Sequence, residues 1–479
     1  MPEAVVTAMT WPRVIQGGMG VGVSNWRLAR AVAQCGQLGV VSGTSIDSLF
    51  VRRLQDGDVG GHLRSVMHRF PIAGAAEAAL RDYFLPAGRA ADAPYRLLPM
   101  NGQVMSIERQ RLLMLAAYVE VALAKEGHGS PVGINLLTKV QIPNLPTLYG
   151  AMLAGVDYVL MGAGIPREIP GALDALAEGR AARLRFEVES DAGDVIEYLN
   201  FDPASHFLAT PTPLLTRPKF LAIVASHSLA TVLARKATGR VYGFVIEGPT
   251  AGGHNAPSRG NAPLNERGEP VYGERDAVDL AKMRELGLPF WIAGGAGHPE
   301  RLRAALAEGA AGVQVGGLFA CCDESGIEPK LRGSVLASAA LREIDVFTDP
   351  LASPTGYPFK VVRWPADPSI GVERERLCDL GYLRLAYRTP AGSISFRCAS
   401  EPVNTYVAKG GALADTVGRR CLCNSLMATV GHAQVRADGT VEPPIVTGGD
   451  DLKHLGDFLG SRSHYSAGDV VDWLLDAKR

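Results

Sequence analysis

The strongest constraint on this chain is a rhythm. Short apolar, β-rich runs alternate with amphipathic helical stretches from Val14 to Gly316. The runs are Val14–Gly17, Gly39–Ser42, Val132–Leu136, Asp157–Met161, Lys219–Ala225, Val241–Glu247, Pro289–Ala293 and Gly312–Gly316. Helical spacing follows most of them, over Asn25–Cys35, Leu145–Ala154, Pro166–Ala177, Leu229–Ala237, Arg275–Leu286 and Pro299–Glu308. Strands that are apolar on both faces and separated by helices indicate a parallel sheet. Eight such units over roughly 250 residues plus insertions suit a closed (β/α)8 TIM barrel, an α/β fold. An open doubly wound sheet is the runner-up. It is weakened because no G-x-G-x-x-G turn follows the first run.

Two stretches break the rhythm. Residues 48–102 read as an excursion over the barrel, and residues 183–218 as a second insertion with a hairpin-like RLRFEVESDAGDVIEYLNF. The domain reading is a barrel over 1–330 and a C-terminal extension over 331–479, packed on it and ending in an amphipathic helix, Ala467–Leu475. The formal net charge of -1 supplies no basic field for nucleic acid or an anionic membrane. The opening segment has no basic region followed by a long apolar run, so a cytoplasmic protein is expected. Seven cysteines in such a chain are expected as reduced thiols. Four of them, Cys378, Cys398, Cys421 and Cys423, fall in the extension. They are candidate metal ligands, but only Cys421 and Cys423 are close in sequence, and ordinary buried thiols are the preferred reading.

The active site of a barrel lies at the carboxyl ends of its strands. Glycines collect there: Gly17-Gly18-Met19 after the first strand, Gly252-Gly253-His254 after the sixth, Gly294-Gly295 after the seventh and Gly316-Gly317 after the eighth. Glycine costs backbone entropy, so such pairs suggest close approach of backbone to a ligand. The last two pairs stand where barrels bind phosphate through backbone N–H groups. Sugar phosphates and flavin phosphates both use such a site. His254 is a titratable group at the mouth of the barrel, and a generic surface histidine is the competing reading. Asn135 is polar in an apolar run, and a satisfied core amide is its bland alternative. Glu247 ends the sixth strand and either binds a ligand or caps the loop. Arg52, Arg53 and Arg64 read as a solvated charged face.

The set VIQGGMG, GINLL, EGPTAGGH, IAGGAG and GVQVGGLF resembles the nitronate monooxygenase family, over about Trp11 to Ile327. The resemblance implies FMN, with its phosphate on Gly294-Gly295 and Gly316-Gly317. It implies Gly17, Gly18 and Met19 against the flavin ring, Asn135, Glu247, Gly252 and Gly253 at the cofactor, and His254 as the catalytic residue. The implied activity is oxidation of alkyl nitronates with O2. The same superfamily holds flavin enoyl-acyl-carrier-protein reductases and quinone reductases, which are the alternative. A barrel that binds flavin or a phosphate metabolite without turnover is the third reading. A small-molecule substrate and O2 are the expected partners, and a homo-oligomer is left open.

Overall fold

The computed structural model describes residues 11–190, 196–207, 210–260 and 263–476. All eight runs are strands: β1 Val14–Gln16, β2 Gly39–Ser42, β3 Val132–Leu137, β4 Tyr158–Gly162, β5 Lys219–Val224, β6 Gly243–Glu247, β7 Phe290–Ala293 and β8 Gly312–Val315. Each pairs in parallel with its neighbour in chain order from β2 to β8, and β8 pairs in parallel with β1. The ring closes between β1 and β2 through a parallel bridge, Ile15 to Leu38. There the Gln16 N–H donates to Leu38 O at 3.0 Å, and the Leu38 N–H to Val14 O at 3.1 Å.

Strand side chains alternate between the two faces. One face of this sheet meets the outer helices, through residues such as Val14, Val159, Phe244 and Val313. The other fills the barrel as a separate core of Ile15, Leu38, Val40, Tyr158, Leu160, Leu221, Val245, Trp291 and Ala293. Two residues further along several of these strands, the inward positions become Gly17, Gly162, Ile223 and Glu247, all of which line a cavity at the mouth. The floor of that cavity is therefore the top layer of the barrel interior.

The insertion near 48–102 begins inside a helix, Ile46–Gln55, and continues through His62–Met67 and Ala75–Tyr83. It lies against the outer layer, where Arg53 pairs with Glu120 at 2.8 Å. Glu120 belongs to the helix Ile107–Lys125, a long element that the helical spacing does not announce. The insertion is stapled to the C-terminal extension: Tyr95 N–H donates to Gln434 Oε1 at 2.8 Å, and His432 Nδ1 lies 2.8 Å from Asp56 Oδ2. The expectation of a solvated charged face fails at Arg52. Its side chain is buried, bonded to His432 O and stacked over the Tyr95 ring.

The second insertion is a hairpin, with Ala182–Phe186 antiparallel to Glu197–Phe201. Part of its tip, residues 191–195, lies outside the described residues. In the extension, Asp345–Asp349 and Phe359–Arg363 form an antiparallel pair, and the final helix is Ala467–Leu474, closed at its start by a Ser466–Asp469 capping box. After β6 the expected helix Arg275–Leu286 is shorter. A single 3-10 turn, Glu274–Asp276, precedes a helix Leu280–Glu285 capped by Asp279, whose side chain takes the Lys282 N–H. Among the described residues no helix is long and apolar enough to cross a membrane.

Trp291 is fully buried inside the barrel, and its indole N–H donates to Pro12 O at 2.7 Å. Trp291→Ala removes that bond and leaves a cavity, with an expected loss of about 3–5 kcal/mol. Denaturant unfolding measures it; a loss below about 1 kcal/mol would mean the barrel interior is not the packed core described.

Candidate active site at the barrel mouth

The cavity at the mouth has a volume of about 210 Å³. Its wall includes Gly17, Gly18, Met19, Asn135, Glu247, Gly252, Gly253, His254, Gly294, Gly316 and Gly317. Gly295 instead faces an adjoining cavity that shares Thr250 and Asp451 with the first. The residues singled out from strand ends thus gather in one place.

The glycines have a partly different reason from the one their sequence suggests. A Cβ on Gly18 would stand 2.3 Å from Asn135 Cβ, on Gly252 2.7 Å from Gly448 C, and on Gly294 2.7 Å from Ala251 N. At these positions the close approach is of the chain to itself. Gly294 and Gly295 also hold φ of +89° and +63°, a region that disfavours side chains.

His254 is half-buried beneath the extension. Its Nε2 lies 2.7 Å from Ser353 Oγ, and Ser353 Oγ lies 2.8 Å from Thr355 Oγ1. The imidazole meets the Phe359 ring edge-on, with centroids 4.9 Å apart. Burial, with the nearby Lys139 ammonium second, pulls its pKa down to about 4. At neutral pH His254 is an uncharged ring with one N–H to offer. Lys139 is itself lowered to about 8 by burial.

Glu247 ends β6 at the cavity wall. It lines the cavity, and burial raises its pKa to about 8. It holds its proton at neutral pH. Asn135 Nδ2 donates weakly to Gly18 O at 3.3 Å. Gln314, on β8, was missed by sequence reasoning although it is a polar residue in an apolar run, as Asn135 is. Its Oε1 is buried and has no hydrogen-bond partner among the described residues. Ser353, Tyr382, Thr447 and Asp451 also enter the site and come from the extension, where no local signal marks them.

These groups fit a flavin. A buried acceptor without a partner and a protonated carboxyl are the pair that ring N–H groups and ribityl hydroxyls would satisfy. Gln314, Glu247 and Asn135 would hold FMN, with the loops after β7 and β8 at its phosphate.

Among the described residues no group of three or more His, Cys, Asp or Glu is placed to hold a metal ion. Cys378, Cys398, Cys421 and Cys423 form no such group. All four are free thiols. Burial raises the Cys421 and Cys423 thiols, and a hydrogen bond to Cys398 raises Cys378 first, so these three are protonated at neutral pH in the metal-free chain.

Residues 202–348 match the nitronate monooxygenase family model, which bears out the resemblance over that segment. The motifs EGPTAGGH, IAGGAG and GVQVGGLF fall inside it. No curated protein matches the chain. Among solved structures it is similar to FabK from Thermotoga maritima, at 16% identity and a TM-score of 0.45, covering 97% of this chain and 92% of that one. It is also similar to nitroalkane oxidase from Streptomyces ansochromogenes, at 15% identity and a TM-score of 0.43, covering 97% and 95%. The enoyl reductase domain of MlnA from Bacillus amyloliquefaciens is similar at 10% identity and a TM-score of 0.44, covering 97% and 93%.

Glu247 ties stability to pH. Its folded pKa, about 8, stands above the ordinary carboxylate value. The folded state keeps a proton that the unfolded chain loses, so stability falls as pH rises towards about 8. Glu247→Gln has no such loss. In flavin-free protein the Tm advantage of Glu247→Gln should grow between about pH 5 and about pH 9. An advantage that stays constant over that range would remove the protonated carboxyl from the site.

Proposed function

We propose that this chain is an FMN-dependent oxidoreductase that reduces an electron-poor carbon–carbon double bond beside a carbonyl, in an extended substrate of the enoyl-thioester class. The observation that carries this reading is a second cavity. It has a volume of about 330 Å³ and shares Val140, Tyr382 and Leu383 with the site cavity. Phe186, Phe396 and Tyr406 contribute apolar wall, and Lys139 and Arg384 contribute charge. A substrate with a small head and a long tail has room for both.

When bound, FMN supplies hydride transfer to or from carbon. The chain's own residues do the rest. The neutral His254 ring donates a hydrogen bond to the carbonyl oxygen, where a neutral imidazole polarises without itself needing to be charged. If Ser353 donates to Nε2, the ring proton stays on Nδ1; Ser353 thus sets which nitrogen offers it. Phe359 covers one side of the ring and lowers its exposure to water there.

Oxidation of alkyl nitronates is the second reading. It is favoured by the family match over residues 202–348 and by Lys139, a cation close enough to His254 to influence its charge. A small nitronate leaves the second cavity without a use.

The two readings separate in one experiment. In the absence of oxygen, NADPH should bleach the flavin absorbance, and an enoyl thioester should restore it. A flavin that stays oxidised with NADPH and bleaches with an alkyl nitronate moves the assignment to the second reading. A chain that takes up no flavin when FMN is added excludes both. His254→Ala should keep its flavin spectrum and lose about 100-fold or more in kcat/KM with the thioester; full activity would deny His254 its role.

A further inference from the structure

The phosphate end of the site carries a charge of the wrong sign. The loops after β7 and β8 present N–H groups suited to a phosphate, and the C-terminal extension lays Asp451 across them. Gly297 N–H donates to Asp451 Oδ1 at 3.2 Å, and the neighbouring Ala296 backbone helps to hold this carboxyl's pKa down. A Cβ on Gly297 would stand 3.1 Å from Asp451 Cγ, and one on Gly317 3.3 Å from Leu452 Cγ. The segment is anchored on both sides of Asp451. Asp450 N–H donates to Thr250 O at 2.9 Å, Lys360 Nζ reaches Asp450 Oδ1 at 3.0 Å, and Leu452 is buried.

We propose that Asp451 is a cofactor-specificity residue whose carboxylate opposes the phosphate of FMN and so weakens the preference for FMN over riboflavin that the glycine loops would otherwise confer. The proposal rests on the flavin reading above. A phosphate on the N–H groups of these loops would lie beside a carboxylate already held by Gly297 N–H, and like charges in a partly desolvated site repel. Relief needs the carboxyl to take a proton or to leave its N–H partner. Burial and the neighbouring Asp450 already raise its pKa, which favours the first course. The anchors at Asp450 and Leu452 resist the second. Riboflavin ends in a neutral hydroxyl and meets no such opposition.

The test is a flavin titration of the flavin-free, full-length chain, followed by flavin fluorescence at fixed salt and mildly alkaline pH. FMN and riboflavin are titrated separately into wild type, Asp451→Asn and Asp451→Ala, with a thermal melt to confirm that each variant is folded. Asn keeps the shape and the acceptor for Gly297; Ala gives a second, independent removal of the charge. The expected result is that both variants bind FMN about tenfold or more tighter than wild type, while the Kd for riboflavin moves by less than about twofold. Equal FMN affinities in wild type and variants overturn the proposal, as does an equal shift for both flavins. A wild type that already binds FMN about a thousandfold tighter than riboflavin overturns it too. Failure of every form to bind either flavin is a different result: it removes the flavin reading itself, and this proposal with it.

Discussion

The loop after β6 is stitched to the extension strand Phe359–Arg363 by a few backbone contacts. Lys360 N–H donates to Gly253 O and Asn255 N–H to Pro358 O, each at 2.9 Å, while Thr447 Oγ1 takes the Gly253 N–H at 3.1 Å. Without this stitch the glycine-rich loop would be an open turn above the barrel. With it, His254 is placed against Phe359 and Ser353, and Gly252 against Gly448. The backbone bonds are satisfied by a partner strand, which fixes the loop's path. The setting of His254, the roof over the cavity and the seat of Asp451 all follow from the extension being held there.

Desolvation is the dominant electrostatic effect at this mouth. It lowers His254 to about 4 and Lys139 to about 8, and raises Glu247 to about 8. Each shift moves towards the uncharged form, as desolvation requires. Such a site works by placed hydrogen-bond donors and acceptors rather than by net charge. Asp451 stands apart, because the backbone at Gly297 and Ala296 partly offsets its burial.

The barrel was legible to within a residue or two at most strand ends, because short apolar runs buried on both faces and the glycine turns after them are local signals. The helix Ile107–Lys125 was not. Its residues from Leu113 to Val121 are buried in unbroken succession, so no apolar stripe at helical spacing marks it. Arg52 misled in the other direction, since an arginine in a helix ordinarily faces water. The glycines pointed to the cavity at the mouth, but Gly18, Gly252 and Gly294 have a partly different reason to be glycine: they admit the chain's own atoms. Gln314 was legible by the argument applied to Asn135, for both are polar residues within apolar strands.

Taken alone, the sequence determined the parallel barrel and put His254, Asn135 and Glu247 at its mouth, where they line one cavity. Strand alternation and strand ends are properties of neighbours in the chain. Only the tertiary structure decided that Ser353 meets His254, 99 positions away, and that Asp451 meets Gly297, 154 positions away. It also decided that the site opens into a second cavity. Those contacts depend on how a long extension packs on the barrel. That packing is set by burial and hydrogen bonding between distant segments, which leave no period in the local sequence.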